Sequence, residues 1–195
     1  MRNSIGGWLA LVLLCLQIML GIVSWVLTAA MPEQFLRSLL SAEGIRWFFG
    51  NFVENLCSPV LVWLLLIALA YGALHGSGLL CFERSEYRQR IALRLVLLEL
   101  VVFTLVMLAL TIVPHAILLN VMGGLIDSSF SRSILPYVCF SVIVMSISFG
   151  VMSDKMKSVG EVFHALSSGI GKAAPLFLIY VLAVQLYCSV VYLFP

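Results

Sequence analysis

The chain has 195 residues, of which 63% are hydrophobic and only 10% charged, with a formal net charge of +2. Soluble domains carry about a quarter of their residues as charges, so this composition, with a mean hydropathy of +1.14, excludes an ordinary water-soluble fold. The small net charge and the lack of basic clusters interleaved with aromatics argue against a nucleic-acid partner.

Charges mark off the apolar stretches in chain order. The intervals Arg2 to Glu33, Glu54 to Glu83, Arg132 to Asp154 and Lys172 to the C-terminus hold no charge between their limits, and Arg94 to Asp127 holds only Glu99. Each exceeds the roughly 20 residues that a helix needs to cross about 30 Å of hydrocarbon. The sequence therefore predicts an all-α membrane protein, a single transmembrane domain over 1–195, with five spans at about 8–30, 59–80, 91–113, 134–152 and 173–194. The first apolar run, Ile5 to Met31, is too long for the h-region of a signal peptide and is read as a retained span.

Between the first two spans, 41–56 predicts a short amphipathic helix. Ser41 can cap it, and Glu43 falls in its first turn, where the macrodipole favours an acid. Ile45, Phe48, Phe49, Phe52 and Leu56 recur every three or four residues, opposite Arg46, Gly50 and Glu54. That pattern is expected of an interfacial helix, with its aromatic face in the headgroup boundary.

Lys and Arg set the orientation. Eight of them (Arg2, Arg84, Arg88, Arg90, Arg94, Lys155, Lys157, Lys172) fall on one side of the predicted spans and three (Arg37, Arg46, Arg132) on the other. The positive-inside bias places the N-terminus in the cytoplasm and the C-terminus outside. The five cysteines show no CxxC and no metal-ligand spacing. Walker, nucleophile-elbow and HExxH patterns are also missing, so neither an enzyme nor a cofactor nor a metal is expected.

Four polar residues fall inside or at the edges of the spans. Glu99 is the single acid within a span, and an unpaired carboxylate there is costly. His75 approaches the same boundary from the second span, which allows a proton-responsive couple with Glu99; the alternative is that each reaches water separately. Gln17 and Gln185 lie near the midpoints of the first and last spans, where an amide seeks an interhelical partner. Ala68, Gly72 and Gly76 repeat every fourth residue, as Ala165, Gly169 and Ala173 do, and such stripes serve either a dimer seam or packing within the chain.

The run Leu39-Leu40-Ser41-Ala42-Glu43-Gly44-Ile45-Arg46-Trp47-Phe48-Phe49-Gly50-Asn51-Phe52-Val53-Glu54-Asn55, followed one span later by Ser77-Gly78-Leu79, resembles the start of the AbgT (p-aminobenzoyl-glutamate transporter) family. Ser133 to Gly150, the polar turn Asp154 to Ser158, and Val162 through Gln185 are similar to that family's middle spans. The resemblance implies a dimeric elevator carrier of a bacterial inner membrane, in which scaffold spans hold a moving domain built from re-entrant hairpins. It implies ion-driven transport of p-aminobenzoyl-glutamate or related folate-like and sulfonamide antimetabolites.

Family members are more than twice as long, and the part with no counterpart here is the moving domain. Arg84 to Asn120 reads like a later scaffold span, and His75 stands where the family usually has an acid before Ser-Gly-Leu. No family substrate-binding residue has a matching position. The expectation is a scaffold-type or transport-related subunit, forming a homodimer or pairing with a separate membrane protein. A membrane interaction or assembly module without a substrate is the alternative.

Overall fold

The computed structural model describes residues 2–33, 35, 37–81, 86–112 and 129–194. Arg84, the end of the third predicted span at Val113 and the stretch through Asn120 and Asp127 lie outside the described residues, as does the side chain of Arg132. Among the described residues the fold is all helical: α1 Arg2–Ala30, α2 Ala42–Gly50, α3 Phe52–Leu56, α4 Pro59–Ser77 with a 3-10 turn Leu79–Cys81, α5 Tyr87–Ile112, α6 Ser129–Met152 and α7 Val159–Leu193. Five of these, α1, α4, α5, α6 and α7, are long and apolar enough to cross a membrane.

Five boundaries differ from the reading of the sequence. The helix expected over 41–56 is present as two pieces, because Asn51 turns out of helical geometry (φ −94°, ψ 7°) while its N–H still bonds Trp47 O. Helices α1, α5 and α6 begin several residues before the predicted spans. The last span is only the second part of α7, a helix of 35 residues, about 52 Å at 1.5 Å per residue. Charge at Lys172 limits an apolar run but does not interrupt backbone hydrogen bonding, so the helix continues through it.

The ends of these helices are closed by local chemistry. Ser41 is extended and its Oγ accepts from Gly44 N at 3.0 Å. Pro59 occupies the first position of α4, where no N–H is required. Beyond α6, Asp154 adopts φ 63°; its N–H bonds Val151 O at 3.2 Å and the Lys155 N–H bonds Gly150 O at 3.0 Å, the paired bonds of a Schellman end. Helix α7 then starts with a capping pair, Glu161 N donating to Ser158 Oγ at 3.2 Å while the Glu161 carboxylate accepts from Lys157 N.

The chain divides into two compact units, 1–62 with 174–195, and 63–173. In the first, the segment after α1 is tied back by Leu39 N donating to the buried Ser24 Oγ at 3.1 Å. Arg37 donates to Tyr192 O at 3.3 Å, Trp47 stacks on Tyr192 at 4.2 Å and Phe35 meets Phe194 edge-on at 6.1 Å. Helices α2 and α3 thus run beside the C-terminal part of α7. Trp47, Phe48, Phe52 and Leu56 turn partly inward, whereas Ile45, Phe49 and Val53 are exposed. The apolar face predicted as one is divided between protein and surroundings.

In the second unit α5 packs along α6, with Ala92, Val96, Met145 and Phe149 at the core and Leu79, Phe103 and Val142 around it. Tyr137 closes this pair by donating to Phe103 O at 2.7 Å. The two small-residue stripes meet each other: Gly72 faces Ala165, Leu166 and Gly169, while Gly169 lies on the backbone of Ala68 and Gly72. A methyl group at either glycine would enter the opposite backbone. Gly169→Ala is therefore expected to cost about 1–3 kcal/mol through overpacking. Gly171→Ala, on the same helix with open space around it, should be neutral or stabilise by up to about 1 kcal/mol. Thermal unfolding of the two purified variants in one detergent measures the difference, and equal midpoints would show that the crossing is not tight.

Candidate functional site

In the first unit the two mid-span glutamines are brought together through a third residue. Gln17 Nε2 donates to Ser189 Oγ at 2.9 Å, and Ser189 Oγ donates in turn to Gln185 O at 2.8 Å. Ser189 lies one helical turn beyond Gln185 on the same face of α7. Gln185 is 4% exposed and Ser189 fully buried. Asn55 Nδ2 reaches Gln185 Oε1 at the limiting distance of 3.5 Å.

A second tie lies nearby in the sequence. Tyr180 donates its one hydroxyl proton to Leu56 O at 2.9 Å. Ser58 must then be the donor in the 2.7 Å contact between its Oγ and the Tyr180 oxygen. This cluster binds α1, the α2–α3 segment and α7 by side-chain hydrogen bonds, which are worth about 0.6–2 kcal/mol each between helices in hydrocarbon. Two of its atoms, Gln17 Oε1 and Gln185 Nε2, are buried with no hydrogen-bond partner. One is an acceptor and the other a donor.

In the second unit His75 and Glu99 are not joined by a hydrogen bond or an ion pair. Glu99 shares the face of α5 that carries Ala92, Val96 and Phe103 toward α6, and its Oε2 is buried without a partner, as is Ser146 Oγ. His75 instead lines an open cleft of about 520 Å³ where α4 meets the start of α7. Lys155, Ser158, Glu161, His164 and Lys172 share that cleft. Lys172 Nζ lies 5.4 Å above the Tyr71 ring, whose centroid is 6.0 Å from that of His75. Lys155 crosses the turn at Gly78 (φ +70°), where a side chain would collide with it.

Ala68 and Gly72 are occupied by the contact with α7, and Gly76 abuts Ala165 at the edge of the cleft. Of the cleft's basic residues only His75 was singled out as a site candidate in the sequence; Ser189, Tyr180 and His164 were not, and Asn55, Lys155 and Lys172 figured there only in the resemblance or the charge count. Two signals were present there: Ser189 follows Gln185 by four residues, and His164, Ser168 and Lys172 repeat at that interval. Among the described residues no group of three or more His, Cys, Asp or Glu side chains is placed to hold a metal ion. Comparison with protein-family models, with curated proteins and with solved structures gave no match.

The amide cluster has an asymmetry that can be measured. Ser189→Ala strands the Gln17 amide and is expected to cost about 1–3 kcal/mol. Gln17→Met removes the unpartnered oxygen together with the bonded nitrogen and should cost less than about 1 kcal/mol, and the double variant should be no less stable than Ser189→Ala alone. Chemical or thermal unfolding of all three gives the coupling, and strict additivity would dissolve the cluster. In the other unit, Glu99→Gln and His75→Gln should change thermal stability independently between about pH 5 and 8. A non-additive pH dependence would restore the pair.

Proposed function

We propose that this chain is a scaffold-type subunit of a bacterial inner-membrane transporter similar to AbgT carriers, with the N-terminus cytoplasmic and the C-terminus outside. The observation that carries this reading is the role of the residues in which the resemblance lies. Ser41 caps α2, Gly44 lies flat on the backbone of Ser38 and Leu39, Trp47 stacks on Tyr192, Asn55 reaches Gln185, and Gly78 makes the left-handed turn after α4. Each bounds a helix, holds one helix against another or seats a helix on the segment before it, which is the work of a fixed frame. Hydrogen-bonded amides and glycine-mediated backbone contact resist sliding within each unit.

In this role the chain forms a homodimer or pairs with a separate membrane protein that supplies the moving part, and the cargo is p-aminobenzoyl-glutamate or a related folate-like or sulfonamide compound. A membrane assembly module with no substrate is the second reading. It is favoured by the apolar surface left uncovered along α1 and α5, where Trp8, Trp25, Leu98 and Leu105 are all more than half exposed.

Reporter fusions after Phe194 should give an extracytoplasmic signal, and a cytoplasmic one would overturn the orientation. Reconstituted alone in vesicles, the chain is expected to show no gradient-driven uptake of p-aminobenzoyl-glutamate. Crosslinking in native membranes should capture a dimer or a membrane partner. Flux by the chain alone would replace the scaffold reading with that of a complete carrier, and monomers at every concentration would remove the scaffold reading altogether.

A further inference from the structure

The cleft at the start of α7 gathers basic side chains from three segments of the chain: His75 from α4, Lys155 from the turn after α6, and His164 and Lys172 from α7. The one acid among the described residues that line it, Glu161, has its carboxylate turned to the Lys157 backbone N–H in the capping pair. The other acid of the neighbouring turn, Asp154, is paired with Arg88 at 2.8 Å. Lys155 and Lys172 form no ion pair with any described residue, and two lysines against one glutamate leave the described lining with a net positive charge. The N-terminus of α7 opens into it at Gly160, adding the positive end of a helix of 35 residues.

The surroundings of the cleft narrow the choice of ligand. From His75, the face of α4 continues at intervals of four through Tyr71 and Ile67, which are 47% and 49% exposed. A polar, cationic end thus passes directly into an exposed apolar strip on a helix able to cross a membrane. Basic pockets between membrane helices recognise anionic headgroups in this way, with the phosphate at the cations and the chains along the helix.

We propose that the cleft formed by His75, Lys155, His164 and Lys172 binds a phosphate-class anion, either the headgroup of an anionic phospholipid or free phosphate. This site is independent of the transport reading, since it needs neither a dimer nor a moving domain. Lys155 and Lys172 hold the phosphate oxygens as point charges, the two histidines supply ring N–H donors, and Tyr71 holds the Lys172 ammonium at the cleft, 5.4 Å from its ring centroid.

The test uses the full chain equilibrated with mixed phosphatidylglycerol and phosphatidylcholine vesicles, then extracted for native mass spectrometry of the retained lipid. Phosphatidylglycerol should be retained in preference. Lys155→Gln and Lys172→Gln should each lower that preference about fivefold, the weight of one lysine near an anionic surface. The double variant should abolish it, while Lys157→Gln, outside the cleft, should leave it unchanged.

Inorganic phosphate at millimolar concentration distinguishes the sources. A phosphate-dependent rise in thermal stability in pure phosphatidylcholine, lost in the double variant, identifies the free anion. No such rise, with selective lipid retention intact, identifies the headgroup. Equal retention of the two lipids with no response to phosphate would overturn the site. So would an undiminished preference in a double variant that unfolds at the wild-type temperature.

Discussion

Hydrocarbon offers no water to a stranded N–H or C=O, and most features of this chain follow from that constraint. It makes every described element a helix, because only a helix satisfies its own backbone within one segment. It also concentrates attention on helix ends, where four donors or four acceptors are left over. The Ser41 cap, the left-handed Asp154 with its two return bonds and the Ser158–Glu161 capping pair each absorb part of that surplus. Asp154 is the one described residue other than glycine with positive φ. Its conformation costs about 1–2 kcal/mol for a residue with a Cβ, and it lets the chain reverse within a few residues to bring Lys155 over Gly78.

The same constraint gives meaning to the polar atoms left without partners. Gln17 Oε1, Gln185 Nε2, Glu99 Oε2 and Ser146 Oγ are buried and unbonded among the described residues. A buried polar group without a hydrogen bond costs on the order of 1–3 kcal/mol. The glutamines recover part of this through Ser189 and Asn55. Glu99 has no such return from His75, so the burial of its Oε2 on the packed face of α5 adds nothing to the stability of the unit that contains it. Polar groups kept at a cost in a membrane helix are the ordinary mark of a role with an ion, a ligand or another helix.

Close backbone approach is the other organising element. Hydrophobic burial cannot drive one apolar helix against another when the surrounding lipid is equally apolar, so van der Waals contact and hydrogen bonds must do so. Gly72 and Gly169 permit that contact in one unit, while the side-chain ties to α7 perform the same task in the other. The cleft lined by His75 and Lys172 lies beside the glycine crossing. Small residues bring the helices together there, and the longer basic side chains line the opening beside them.

The number of long apolar helices and their approximate positions were legible in the sequence, because membrane thickness converts directly into a length of uncharged chain. The N-cap at Ser41 was legible for a similarly local reason, since its bond spans three residues. Gln17 and Gln185 could be singled out, but their joining through Ser189 could not, since that bond connects residues 172 apart. Periodicity found an apolar face on 41–56 but could not divide it, because exposure of Phe49 and partial burial of Phe52 depend on where α7 lies. The separation of Glu99 from His75 was likewise a tertiary matter: similar depth along two helices says nothing of the direction in which each turns its side chain. Spacing and charge act along the chain and are written in it, whereas the partner of a side chain is fixed by the rotation of each helix about its axis, which packing alone decides.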